Sequence, residues 1–320
     1  MELPLLILAW KRPFFTSKLV NAIRDVKPKN IFLACDGADL NNYKEIELVQ
    51  QTRDILDQEI DWPCEKHKFY CTHNQGCRLG VSRAINWFFE NVSEGVILED
   101  DCIPHPDFFK FSELLIDRFR DDKRIWSISG NNYQNGNWRG DGSYYFSKFP
   151  HCWGWATWKD RWEFYSQEKF IWAKLNKAKM LNNIFPTKKE LKYWSLIFNK
   201  LYKENKPDSW AYRWFLVCQA KGGLNVLPNQ NLVQNIGFNS NATHTKRGES
   251  PIKLEFKNNE SSVIFPLVEP SFIIRSIDAD NFTFRTHFAP RIHIKIINKL
   301  KYFFKRIFYS NKGKVFKQDN

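Results

Sequence analysis

Along the first 130 residues the apolar positions alternate between two periods. Short, nearly continuous apolar runs at 3–10, 30–35, 95–99 and 125–129 have the length of strands buried on both faces, and 66–71 reads as a further strand between the second and the fourth. Between them, helical spacing predicts a helix opening with Pro13 at its first position and running to about residue 25. A polar helix follows over about 41–60, then one carrying Val81, Ala84, Ile85, Phe88, Phe89 and Val92, then one over 106–119. Repeated βα units of this kind predict an α/β fold, a mostly parallel sheet with helices on both faces.

After Asn131 the alternation stops. Residues 132–143 are rich in Asn and Gly and read as a loop, and 144–162 form an aromatic block. The Lys-rich stretch 169–206 holds two helical patterns and reads as a solvated insertion. A helix over 210–220 ends at Gly222-Gly223, and 224–227 reads as a short strand. No internal repeat is visible. The expected organisation is one catalytic domain in two halves, 1–130 and 131–250, with a peripheral extension over 251–290 and a basic amphipathic tail over 291–320.

The run at 95–101, GVILEDD, ends in three consecutive carboxylates, Glu99, Asp100 and Asp101. Ligands of open α/β sheets gather at the carboxyl ends of such strands. Adjacent carboxylates repel one another and are costly to desolvate, so they make chemical sense where a hard divalent cation neutralises them; the alternative is a solvated turn. The other strands also end in residues able to touch a nucleotide. Lys11-Arg12-Pro13 closes the first and Cys35-Asp36-Gly37 the second, while Asn74-Gln75-Gly76 and Arg78-Leu79-Gly80 follow the third. Singly each is a natural cap or turn residue; together they share one rim of one sheet.

Charge and cysteine content narrow the classes. The formal charge of the 320-residue chain is +13, but residues 291–317 hold nine Lys/Arg and no acid, and with these and Asp319 set aside residues 1–290 carry only +5. A general nucleic-acid groove needs positive charge spread over the fold, so no nucleic-acid partner is expected. In the tail, apolar residues from Ile292 to Phe308 interleave with Lys and Arg, as in a helix lying on an anionic membrane surface, or one docked on the domain with a basic outer face. Seven Cys without a CxxC pair suit free cytosolic thiols, although Cys71 and Cys77 with His67 and His73 weakly suggest zinc. The first ten residues lack the basic region of a signal peptide, and no run approaches the ~20 apolar residues of a membrane span. The expectation is a cytoplasmic protein, peripheral at the inner face of the membrane.

PLLILAWKRP, ACDG, the LG-containing helix and ILEDD together resemble the nucleotide-diphospho-sugar transferases of the GT-A fold, in particular the group around N-acetylglucosaminyltransferase I and its bacterial relatives in surface-polysaccharide synthesis. HCWGWATWKDRW (151–162), DSWAYRW (208–214) and NLVQNIGFNSNATHT (231–245) look like acceptor-side blocks of the bacterial group, so the resemblance covers about 3–247. It implies Mn²⁺, or Mg²⁺, bound by Asp101, with Asp100 at the ribose or a metal-bound water and Glu99 nearer the donor sugar. Arg12 and Asp36 match nucleotide-contacting positions, with Arg78 and Gly80 on the same rim. The implied partners are a nucleotide-sugar donor, UDP-sugar favoured, and a glycan or lipid-linked acceptor.

For the general base the expectation is Asp208, with Glu163 and Asp160 as fallbacks; the competing role for Asp208 is N-cap of the helix after it. Relatives carry an acid where Ala211 stands here. His244 resembles the late His that completes the metal site, or is a surface-loop residue. Trp153, Trp155 and Trp158 are expected as an acceptor platform, with packing as the alternative for at least one. The rival functions are a metal-dependent phosphoester hydrolase or transferase, and a non-catalytic basic adaptor for membrane or nucleic acid.

Overall fold

A computed structural model describes residues 1–238, 263 and 265–288. Its first part alternates strand and helix as the periodicity predicts: β1 (Leu5–Ala9), α1 (Pro13–Ile23), β2 (Asn30–Cys35), α2 (Tyr43–Gln58), β3 (Glu65–Tyr70), α3 (Gly76–Asn91) and β4 (Glu94–Glu99). Then come β5 (Cys102–Pro104), α4 (Pro106–Phe119), β6 (Ile125–Ser129), β7 (Tyr144–Ser147) and β8 (Trp155–Trp158). Five helices follow, α5 (Lys159–Trp162), α6 (Glu168–Lys177), α7 (Leu181–Ile184), α8 (Lys188–Glu204) and α9 (Ala211–Ala220). The described chain closes with β9 (Leu224–Pro228), β10 (Val233–Asn235) and α10 (Ile277–Thr283).

The main sheet has the order β3-β2-β1-β4-β8-β6-β9-β7. The first four strands are mutually parallel, β8 runs antiparallel to both β4 and β6, β9 is parallel to β6, and β7 is antiparallel to β9. β3-β2-β1-β4 is the strand order of a doubly wound, Rossmann-like sheet, which reverses direction of winding between β1 and β4. Successive residues of β1 separate cleanly. Leu5, Ile7 and Ala9 enter one core with α1, α2 and α4, while Leu6 and Leu8 enter a second with α3, α6, α8 and α9. Helices therefore cover both faces, and the strands read as continuous apolar runs for that reason.

Two readings of the second half are corrected. The stretch 169–206 is not a solvated insertion: Ile171, Trp172, Trp194, Phe198 and Leu201 are buried in the second core. Its lysines lie on the outer faces, which is what the composition registered. The aromatic block hides strands β7 and β8, and β8 places Trp155 opposite Ile97 and Trp158 opposite Glu94. Trp155 and Trp158 are buried on opposite faces of the sheet, so neither is free to act as a platform. All seven cysteines are free thiols. Among the described residues no helix is long and apolar enough to cross a membrane, and no group of three or more His, Cys, Asp or Glu is disposed to hold a metal, neither the His67, Cys71, His73 and Cys77 set nor Glu99, Asp100 and Asp101. The tail over 291–317 and His244 lie outside the described residues.

Candidate active site

A cleft of about 710 Å³ opens at the carboxyl ends of β1, β2 and β4, where the winding of the sheet reverses. Residue Lys11, just past β1, has φ of 41°, a left-handed conformation that costs a lysine about 1 kcal/mol. The bend is held by Lys11 Nζ, which pairs with Glu45 Oε2 at 2.7 Å, and it turns Arg12 towards β4. Arg12 then bridges two acids: one nitrogen donates to Asp100 Oδ1 and Nη1 donates to Asp101 Oδ2 at 2.7 Å.

The two acids are held by backbone as well. Trp10 N–H donates to Asp100 Oδ2 at 3.1 Å, and Asp100 is fully buried. β5 pairs with β10, with Cys102 opposite Asn235, which brings Asn235 Nδ2 within 3.1 Å of Asp101 Oδ1. A Cβ at Gly237 would lie 2.2 Å from Asp101 Oδ2, so only glycine leaves room for this carboxylate. Burial raises Glu99 and Asp100 above the ordinary carboxylate range. The charge of Asp101 pushes both further, and Arg12 opposes it in each. With Glu99 held protonated by burial, one guanidinium against Asp100 and Asp101 leaves one formal negative charge without a cation.

The other rim residues serve the loops. Asp36 accepts the N–H groups of Gly37 at 2.8 Å and Gln75 at 3.0 Å, tying the end of β2 to the start of α3. Burial still raises its pKa, against those amides. Gly80 fits directly against that carboxylate, since an added Cβ would meet it at 3.0 Å.

Asp208 is not the N-cap of α9, whose N-cap residue is Trp210 with no side-chain cap bond. It reaches instead to the first turn of α3, where its Oδ2 accepts Arg78 N–H at 3.3 Å and its Oδ1 lies 3.7 Å from Arg78 Nε. Gly76 makes room for it, with a positive φ and a Cβ direction that would meet Asp208 Oδ2 at 2.9 Å. Asp208 lines the cleft and is about half exposed. Arg78 does not line it, nor does Glu163, which is exposed at the start of a 3₁₀ turn over 163–167. Asp160 pairs with Lys123 and Arg161 at the surface.

Of the three tryptophans only Trp153 lines the cleft. Around it stand residues absent from the sequence expectations: Tyr133, Phe149, His151, Phe238, His287 and Phe288. His287 and Phe288 arrive from the chain after α10, which is anchored by Asp280 through Ser147 Oγ at 2.5 Å and an ion pair with Arg275. Nothing local in the sequence announces that return, whereas His151 stood in plain view as the first residue of a recognised block.

No family model matches the chain, and no curated protein matches it. Solved structures with some likeness include HddC from Yersinia pseudotuberculosis complexed with GMP-PN, 14% identical over 49% of this chain and 77% of that one, TM-score 0.31. Others are apo UDP-glucose pyrophosphorylase, at 12% identity, 71% and 90% coverage and TM-score 0.35, and 4-diphosphocytidyl-2C-methyl-D-erythritol synthase from Anaerococcus prevotii DSM 20548, at 9%, 56%, 77% and 0.28. Likeness at this level carries no argument; the fold class rests on the strand order and the position of the cleft.

Proposed function

We propose that the chain is a metal-dependent, inverting glycosyltransferase of GT-A architecture. It would take a nucleotide-sugar donor at the carboxylate end of the cleft and build a cell-surface glycan. The observation that carries this is the placement of Glu99, Asp100 and Asp101 at the point where the sheet reverses its winding, in a cleft whose other end is aromatic. The motif resemblance to the N-acetylglucosaminyltransferase I group points the same way.

The donor set suits a hard dication. It is made of carboxylate oxygens, Arg12 leaves one negative charge of the Asp100–Asp101 pair uncompensated, and Gly237 gives the Asp101 carboxylate its room. Asp101 would hold Mn²⁺ or Mg²⁺, with His244 as a further ligand in the reading from sequence. Such an ion supplies Lewis-acid stabilisation of the departing nucleoside diphosphate. Arg12, once its acids face a metal, is placed to pair with a donor phosphate. Asp208, on the cleft wall and kept in place by α3, is the proposed base that takes the proton from the acceptor hydroxyl. Recruitment to the cytoplasmic face of the membrane by 291–317 belongs to this reading and rests on sequence alone.

The test is product identity. With Mn²⁺ and a panel of nucleotide sugars, release of nucleoside diphosphate is expected; formation of nucleoside triphosphate from added pyrophosphate would replace this reading with nucleotidyl transfer. Asp208→Asn should keep nucleotide binding and lose transfer by on the order of 10² to 10⁴.

A further inference from the structure

The cleft has a second end that the carboxylates do not explain. Its walls are Tyr133, Phe149, His151, Trp153, Phe238 and His287, with Trp194 and Tyr212 beyond. Among the described residues no lysine, arginine or carboxylate lines this lobe; their charged groups in the cleft are Arg12, Asp36, the three acids at the end of β4 and Asp208. The two ring contacts described for Trp153, with Tyr133 at 78° and Phe238 at 76°, are edge-to-face rather than stacked.

His151 is the unusual member. It is 5% exposed, it lies flat against Phe149 and edge-on to Tyr133, and its Nε2 has no hydrogen-bond partner among the described residues. A buried polar atom left unpaired costs about 1–3 kcal/mol, a cost that a ligand able to hydrogen-bond would remove. Nε2 has essentially no accessible surface of its own, so a group carried into the lobe meets it only as a neighbouring ring gives way. A hydroxyl suits either tautomer of the ring, because it both donates and accepts.

We propose that this lobe binds an uncharged glycoside, the acceptor of the transfer reaction, with Trp153 under the sugar ring and His151 Nε2 bonded to one of its hydroxyls. The proposal rests on the transferase reading for the word acceptor, but the binding site itself does not. Stacking on an indole face selects a ring with an apolar C–H face, the orphan nitrogen demands a hydroxyl, and the absence of cations in the lobe disfavours uronic acids and phosphorylated sugars. Burial, reinforced by His287, also pushes the His151 pKa well below that of a free histidine, so the imidazole stays neutral and positions the hydroxyl rather than taking its proton. A hydrocarbon chain would fill the lobe but leave Nε2 unpaired.

Binding is measured on the full chain by saturation-transfer NMR without donor. The probes are the methyl β-glycosides of glucose, galactose and N-acetylglucosamine, with methyl β-glucuronide and n-octanol as counter-probes. At least one neutral glycoside is expected to bind with Kd on the order of 1 mM or tighter, and the glucuronide at least about tenfold more weakly, a difference of about 1.4 kcal/mol. His151→Phe should weaken the glycoside about tenfold and His151→Gln should recover part of it. Trp153→Leu should weaken it as much, with thermal melts confirming that each variant is folded. Silence of all three neutral probes, equal binding of the glucuronide, preference for octanol, or indifference to both His151→Phe and Trp153→Leu would each overturn the proposal. A parallel melt with UDP, GDP and CDP plus Mn²⁺ separates the two readings: glycosides without nucleotide would keep the lobe and remove the transferase, and nucleotide without glycosides would do the reverse.

Discussion

The two ends of the cleft are built on opposite physical plans. At the β4 end three carboxylates crowd one guanidinium, so charge is in excess and every donor nearby, from Trp10 N–H to Asn235 Nδ2, is already engaged. At the far end, among the described residues, rings pack on rings, no charged side chain lines the wall, and one imidazole nitrogen is left over. In the reading proposed above, a cation completes the first plan and a hydroxyl the second. The proposed transfer, in which a neutral hydroxyl displaces a charged leaving group from the sugar, would use both ends of one cavity, and β4 and the segment between β6 and β8 both line this one.

The sharpest way to break this contrast is at Asp101. Asp101→Ala should lose transfer by at least about 10³-fold, or ~4 kcal/mol, the range of a metal-centred Lewis acid. It should also abolish any Mn²⁺-dependent stabilisation by nucleotide. The fold should survive, because Arg12 keeps its bond to Asp100 while Glu99 and Asp100 lose a repelling neighbour. Activity assays beside melts with and without EDTA check both halves; parental turnover would exclude Asp101 as ligand.

Two tryptophans two residues apart test the aromatic end. Trp155 is 1% exposed and stacked on Trp210 at 5.6 Å, so Trp155→Ala should cost about 3 kcal/mol or more in urea unfolding. Trp153, half-buried on the cleft wall against the first core, should cost less on the same substitution, about 1–2 kcal/mol. Equal costs would mean that Trp153 is a core residue and that the lobe lacks a free face.

Arg12→Met addresses the charged end without touching the acids. In EDTA it strands Asp100 and Asp101, and the loss should be about 2 kcal/mol, below the 3–5 of a fully buried pair because the Arg12 side chain is 24% exposed. Mn²⁺ should restore part of that loss, since a dication replaces the missing charge. A stability unaffected by metal would show that Arg12, and not an ion, is the natural partner of these acids.

These regions also differ in how much of them the sequence displayed. β1 to β4 and α1 to α4 are legible because each is a local pattern: both faces of a strand buried, Pro13 and Pro106 at helix starts, Asn42 capping α2 through Glu45 N–H. So are Asp100 and Asp101, since a strand end in such a sheet is already a location. The aromatic lobe is not legible in this way. Trp153, Trp155 and Trp158 look alike in the chain, and only the pairing of β8 between β4 and β6 sorts cleft from core. Asp208 was weighed as a cap of the helix beside it, but its bond goes to α3, 130 positions earlier, a contact that exists only in three dimensions. His287 reaches Tyr133 because Asp280 and Arg275 fix α10 to β7, which no spacing rule encodes.

Per pH unit the smallest effect expected is on the pH dependence of stability, and its sign separates a proton from a metal as the missing charge. Burial raises Glu99 above its unfolded value, so the folded protein holds a proton that the unfolded chain releases near pH 4. The stability contributed by neutral Glu99 is therefore fully present below the unfolded value and is lost as pH rises through the folded one. Glu99→Gln mimics the protonated side chain at every pH. In EDTA it should match the parent near pH 4 and become progressively more stable than the parent above that, by at most about 1.4 kcal/mol per pH unit for one proton. With Mn²⁺ present the advantage should shrink, because an ion beside Asp101 favours ionised Glu99 in the parent. Urea titrations at four or five pH values, with and without metal, read the difference directly. If the variant is less stable than the parent as pH rises, Glu99 is stabilised as a carboxylate in the folded protein, and Arg12 with the Trp210 indole already meets its charge without a cation.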